Sequence, residues 1–264
     1  DLSGMNHLSR MAVAASSRAL RDAGLRVRPS NAYDVGVVMG ACCGPSEMSH
    51  MDNVFTTENY QADSAGFSSI TANSTAGYVS ARLCLKGTNM TLSPGPDAGL
   101  QSLAYAYEML FAGRAKAIVT GAADEVYTQT YENYDRFGYL YRDDAEQSYR
   151  LHPDQDRHRV LGEGAAMLVL EPQSAAEARG ASILAEVLGY GMGMDGEHFV
   201  EPNASRDGLR HAAQTALERA GVGTDEIDLV VWAPMGNRAD LKVVDIVNEA
   251  LGDRAGTVPL VTTT

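Results

Sequence analysis

The sequence predicts an α/β fold, a mostly buried sheet layered with helices. Three observations carry that expectation. Apolar runs of strand length alternate with longer stretches of helical spacing. Residues 88–121 read strand, tight turn, helix and strand in direct succession. The helical patterns close at glycines, as at Gly24 and Gly113.

Taken in order, Leu8 to Leu25 has apolar residues at helical spacing and runs out at Asp22-Ala23-Gly24. The short strand VVMG leads into a Gly-rich loop holding Cys42 and Cys43. Thr88 to Ser93 (TNMTLS) is a short strand, followed by the turn Ser93-Pro94-Gly95-Pro96-Asp97. From Ala98 to Gly113 the chain reads as an amphipathic helix, and Ala115 to Gly121 (AKAIVTG) as the next strand. No low-complexity segment and no clear internal sequence repeat is present.

Composition narrows the partners. The 264 residues suffice for a sizeable core in one or two domains. A formal charge of −13 and a pI near 4.8 disfavour nucleic acid and anionic membrane surfaces as partners. No apolar run reaches membrane-spanning length, and no basic stretch followed by an apolar core marks a secretory signal. Cys42, Cys43 and Cys84 form no disulfide framework or metal-ligand spacing, which suits a reducing cytoplasm, and the histidines share no spacing that indicates a metal. No cofactor is expected: the loop after VVMG lacks the G-x-G-x-x-G spacing of a dinucleotide site.

The order of these segments resembles the β-ketoacyl synthase family of the thiolase superfamily. The resemblance rests on Leu8 to Leu25, on Tyr33 to Gly40 (YDVGVVMG) as the next strand, and on Asn73 to Gly87 (NSTAGYVSARLCLKG) as the helix before the turn. It continues through the run Pro153 to Glu171 (PDQDRHRVLGEGAAMLVLE), which is one residue short after Arg157. Ile183 to Asp195 and Leu209 to Asp228 are similar to the opening strand and helix of the family's second half. The fold so implied is a thiolase-like five-layered αβαβα sandwich, lacking the first βα unit and the C-terminal part. Residues 1–175 would be the N-terminal half, incomplete at its start, and residues 176–264 the beginning of a truncated C-terminal half. The halves meet near Pro172 to Ser182.

In this family the turn between 93 and 99 is a nucleophile elbow. There a cysteine meets a helix N-terminus whose free N–H groups and positive dipole end favour a thiolate. Counted back from Ala98-Gly99, that cysteine falls on Pro96. The strand Leu229 to Ala233 then leads where the family has His-Gly-Thr, and the histidine becomes Pro234. The later acidic position of that motif is matched by Asp245, and the aspartate before it by Lys242. Two losses point to a non-catalytic homologue, most like the chain-length factor of a type II polyketide or polyene synthase. The resemblance implies pairing with an active ketosynthase subunit as a heterodimer, and an acyl carrier protein bringing acyl and malonyl groups. The partner's side chains would shape the acyl-chain tunnel, here Ser68, Thr71, Ala72, Asn73 and Thr75. His198 would lie near the entrance and Glu163 would be a buried, hydrogen-bonded structural acid.

Other residues have plainer readings. Cys42 and Cys43 read as packed cysteines, since no basic group is near in sequence. Asp97 reads as a helix N-cap, and the tyrosines between Tyr127 and Tyr149 suit an amphipathic contact surface as much as a loop. Two alternatives stand beside the chain-length factor. One is an acyltransferase or decarboxylase with chemistry relocated to Cys42, Cys43 or Ser93; the other is a scaffolding homodimer.

Overall fold

In the computed structural model, which describes residues 5–45, 69–138, 140, 160–196, 206–233 and 239–262, the first apolar stripe becomes helix α1, His7–Asp22. Leu8, Ala12, Val13, Ser16 and Leu20 form its buried face. Asn6 caps it, its side-chain oxygen accepting from the Ser9 N–H at 2.7 Å. At the other end Gly24 takes φ +63°, and the Gly24 and Leu25 N–H groups donate to Arg21 and Leu20. The Asp-Ala-Gly ending thus marks a Schellman stop.

Strand β1, Val35–Gly40, is buried throughout. The expected strand began two residues earlier. Ala32–Asp34 instead form a 3-10 turn, because Asn31 folds the chain back by accepting from the Arg28 N–H and donating to the Arg26 carbonyl. Helix α2 (Ser74–Leu83), strand β2 (Asn89–Leu92), helix α3 (Ala98–Phe111) and strand β3 (Ala117–Asp124) follow. Helix α4 (Thr128–Arg136), strand β4 (Gly164–Leu170) and the short helix α5 (Gln173–Ala178) complete the series.

The sheet order is β2-β1-β3-β4. β1 runs parallel to both β2 and β3, with Gly40 level with Leu92 and with Ala122. β4 is antiparallel to β3. Side chains alternate across the sheet as strand geometry requires. Val35, Val37, Met39, Ala117 and Val119 join Leu8, Ala12, Ala76 and Val79 in one core. Val38 and Ile118 join Ala106 and Ala115 in the other. Both faces of the sheet are therefore covered, by α1 and α2 on one side and by α3 on the other. Each fully buried valine or isoleucine here contributes about 1.5–3 kcal/mol.

Apart from α4, which runs across the boundary at residue 131, these elements belong to one compact unit, residues 1–131 with 162–186; a second comprises 132–161 with 187–264. The second unit holds helix α6 (Asp207–Ala220), strand β5 (Val230–Trp232), helix α7 (Ala239–Leu251) and strand β6 (Leu260–Thr262). β5 and β6 are parallel neighbours. Asp195 accepts from the Gly208 N–H at 2.9 Å at the start of α6, and Arg210 ties α6 to Glu249 of α7 at 3.0 Å. Residues 183–195, expected as a strand, pair with no strand among the described residues. Gly189, Gly191 and Gly193 in that segment lie against the α6 backbone, and a Cβ at Gly189 would sit 2.7 Å from the Ala216 carbonyl oxygen.

Candidate functional site

The carboxyl ends of β1, β2 and β3 converge where the elbow was expected. Leu92 closes β2 and its carbonyl accepts from the Ala41 N–H at 3.0 Å, which fastens the chain after β1 to the start of the turn. Gly95 bends that turn at φ +129°, a backbone conformation that only glycine adopts without strain. Pro96 follows, exposed, and directly precedes Asp97, the N-cap position of α3. Gly40 sits so close to Ala98 that a Cβ would collide with the Ala98 backbone. Ser102 pins the first turn of α3, its hydroxyl lying within donating distance of the carbonyls of Gly99 (2.7 Å) and Gly121 (2.8 Å), one of which takes its single hydrogen.

Asp97 occupies the N-cap position without capping. Its side chain makes no bond to the helix N–H groups and instead accepts from the Gln101 side chain at 2.7 Å. The helix start therefore keeps its donors without a side-chain cap, as an elbow requires. Pro96, the position to which the sequence assigns the family's nucleophile, lies in this turn.

One loop away lies a thiol pair. Asp124 Oδ1 accepts from the Cys42 N–H at 2.8 Å and the Cys43 N–H at 3.0 Å, while the Tyr127 hydroxyl donates to the Cys43 carbonyl at 3.2 Å. Both cysteines are free and half-buried. The Cys42 thiol is held protonated because it hydrogen-bonds Cys43, with burial and the charges of Asp124 and Asp97 adding to the effect. Cys43 is moved the other way. Its thiol is lowered by the Cys42 hydrogen bond and by one from Thr130, against burial and Asp124. Asp124 itself is raised by burial, against the two backbone N–H bonds that favour its charged form.

The remaining expected residues are distributed as follows. Glu163 is exposed where burial was expected, since it precedes β4 at the sheet's end. It is hydrogen-bonded all the same, to His7 at 3.0 Å and the Val126 N–H at 3.4 Å, and His7 holds its carboxyl below the usual range. Thr75 is fully buried and within 3.3 Å of the Ser9 hydroxyl of α1, so its side chain faces the core. Thr71 and Asn73 are exposed and Ala72 is half-buried. Asp245 is exposed on α7. Ser68, His198 and Pro234 lie outside the described residues. Among the described residues no cluster of three or more side chains could hold a metal, and no helix is long and apolar enough to cross a membrane.

Comparison with known proteins decides the family. Residues 1–176 match the domain described as beta-ketoacyl synthase, N-terminal domain. The chain belongs to the β-ketoacyl synthase family. Over 97% of its length it is 33% identical to 3-oxoacyl-[acyl-carrier-protein] synthase 2 of Vibrio cholerae, of which it spans 63%. Among solved structures, a beta-ketoacyl synthase from Burkholderia phymatum superposes with TM-score 0.87 at 29% identity, covering 99% of this chain and 64% of that one. The ishigamide ketosynthase/chain length factor superposes with TM-score 0.85 at 28% identity, covering 100% of this chain and 64% of that one. The fold is thus the thiolase-like α/β fold of ketosynthases, and the chain spans just under two thirds of the relatives it matches.

Within this ketosynthase fold, the expected strand, turn and helix around residues 92–98 are present, whereas the partners of the thiol pair were not foreseen from the sequence. Asp124 lies 82 residues from Cys42 in the chain. Only the parallel register of Gly40 with Ala122 brings the two together. The available signal was an aspartate closing the strand AIVTGAAD beside a loop of unpaired backbone donors.

Proposed function

We propose that this chain is part of a non-catalytic ketosynthase-like subunit, a chain-length factor, which pairs with an active ketosynthase and shapes the tunnel for the growing acyl chain. The observation that carries the reading is Pro96, exposed at the entry to α3 where a catalytic member presents its nucleophile. The tuned helix start remains, and the group it would tune is absent. Pro234 at the first histidine position agrees with it in sequence. The likeness to a ketosynthase/chain length factor supports the assignment, although the Vibrio cholerae relative bears the name of a synthase.

Pairing draws support from topology. Among the described residues β2 is the edge strand of its sheet, and an open strand edge is a ready template for a second chain. Thr71, Ala72 and Asn73 directly precede α2 and are the accessible part of the expected tunnel wall. An acyl carrier protein is the expected carrier of acyl and malonyl groups, and the cytoplasm the expected compartment. The test is co-expression with an active ketosynthase from the same source. The expected result is a stable heterodimer that extends acyl chains, while this chain alone forms no carbon-carbon bond from acyl and malonyl carrier protein. Condensation by the chain alone overturns the reading.

A further inference from the structure

We propose that Asn6 is a positioning residue for product length: acting through the Ser69 carbonyl, it sets where Thr71, Ala72 and Asn73 stand at the expected tunnel wall. The role of that wall rests on the chain-length factor reading above; the clamp itself rests on geometry. The three wall residues lie between Ser69 and Ser74, at which α2 begins. Asn73, at the N-cap position, makes no side-chain bond to the helix it precedes. The segment is fixed instead at the Ser69 carbonyl, which accepts from the Asn6 side-chain amide at 3.0 Å and from the Ser74 hydroxyl at 2.9 Å.

Asn6 does two things at once that a planar amide allows. Its oxygen accepts from the Ser9 N–H at 2.7 Å and caps α1. That donor fixes which end of the amide is oxygen, so the NH2 group is the end turned to the Ser69 carbonyl, which can only accept. Capping alone does not require asparagine, since aspartate caps as well. A carboxylate, however, has no hydrogen to offer Ser69. Asn6 is 6% exposed and Ser69 8%, so water does not readily replace a lost donor there.

The anchor is part of the core. Met5 and Leu8, on either side of Asn6 in the chain, are buried in the cluster that packs on the sheet. The wall is thereby referenced to the core of its unit and not only to its own loop. Its side chains are small, so the place of the backbone decides how much room they leave. A second link between α1 and α2, the Ser9 and Thr75 hydroxyls at 3.3 Å, joins the helices without touching Ser69 and separates packing from positioning.

The experiment co-expresses each variant with the active ketosynthase, reads product lengths by mass spectrometry and measures hydrogen exchange on the heterodimer. Asn6→Asp keeps the α1 cap and removes the donor to Ser69. Ser74→Ala removes the other donor and leaves α1 untouched, so it serves where Asn6→Asp lowers the yield. Both should spread the products to neighbouring lengths. Both should also speed exchange at the Ser74 and Gly77 amides, which donate to Thr71 and Asn73 at 2.9 and 3.1 Å, by about fivefold, the factor for one hydrogen bond of ordinary net strength. Ser74→Thr, which keeps the hydroxyl, should retain the parent distribution, and Ser9→Ala should lower stability without altering product lengths. Unchanged exchange in both clamp variants overturns the proposal. So does an equal spread in Ser9→Ala, or faster exchange with unaltered products where Ala72→Phe shortens them. Products that Ala72→Phe also leaves unaltered sink the tunnel-wall reading and this role with it, which tells the two failures apart.

Discussion

Removing the Asp124 carboxylate should loosen the thiol loop by an amount that the structure fixes. The carboxylate oxygen serves two backbone donors, at 2.8 and 3.0 Å. In Asp124→Ala both lose their acceptor in a half-buried loop, at a cost of about 1 kcal/mol each where water can replace it and more where it cannot. A loss of about 2 kcal/mol is expected in urea unfolding of the purified chain. Asp124→Asn keeps an oxygen in place and should be close to neutral. The pH dependence separates the two effects. Burial raises the Asp124 carboxyl above its ordinary value, so the folded state binds its proton more tightly than the unfolded chain does. Stability contributed by this group is therefore greatest at low pH and declines as pH rises from the unfolded value through the folded one. The asparagine variant lacks that decline, so its stability relative to wild type should improve as pH rises above the ordinary carboxylate range. An asparagine variant as unstable as the alanine variant, or a difference that does not change with pH, would refute the account.

Further outcomes follow from particular contacts. Pro96→Cys alone should restore no condensation activity in a carrier-protein assay, because Pro234 still stands at the first histidine position. Ala72→Phe should shorten the products of the co-expressed heterodimer, read by mass spectrometry, whereas Thr75→Phe forces a ring into the fully buried α1–α2 contact and should destabilise the chain by about 1–3 kcal/mol or more. Gly121→Ala should be among the most damaging small substitutions. That position combines φ +145° with a neighbour, the Ala166 carbonyl, lying where the Cβ would go, and the loss should appear as reduced soluble yield and a lowered unfolding midpoint.

The backbone of the first unit was legible in the sequence because its signals are local. The stripe from Leu8 to Leu20, the Gly24 stop and the short apolar strands each specify their own element through spacing and turn chemistry. The strand boundary at Val35 was not legible, since Asn31 sets it through side-chain bonds to the backbone of Arg26 and Arg28. The turn that holds Pro96 could be located by counting between β2 and α3, but the setting of Cys43 could not. It depends on a register between strands about eighty residues apart, and apolar alternation does not encode which partner a strand finds. Glu163 shows the same limit from the other side, because a motif identifies a carboxylate without fixing how much of it water reaches.

The three alternate glycines at 189, 191 and 193, set against α6 near Ala220 and Ala216, Ala212 and Gly208, act together as a toothless rack. With no side chain between them, the two backbones approach closely enough for weak Cα–H to carbonyl contacts along the whole overlap. A segment that has no strand ladder among the described residues is thereby held by close backbone packing against a helix. Adding a methyl group at any one tooth lifts the entire rail, so damage at Gly191 should extend to the positions of Gly189 and Gly193. Tolerance to substitution here is a property of the row, and no single position in it can be exchanged independently of the others.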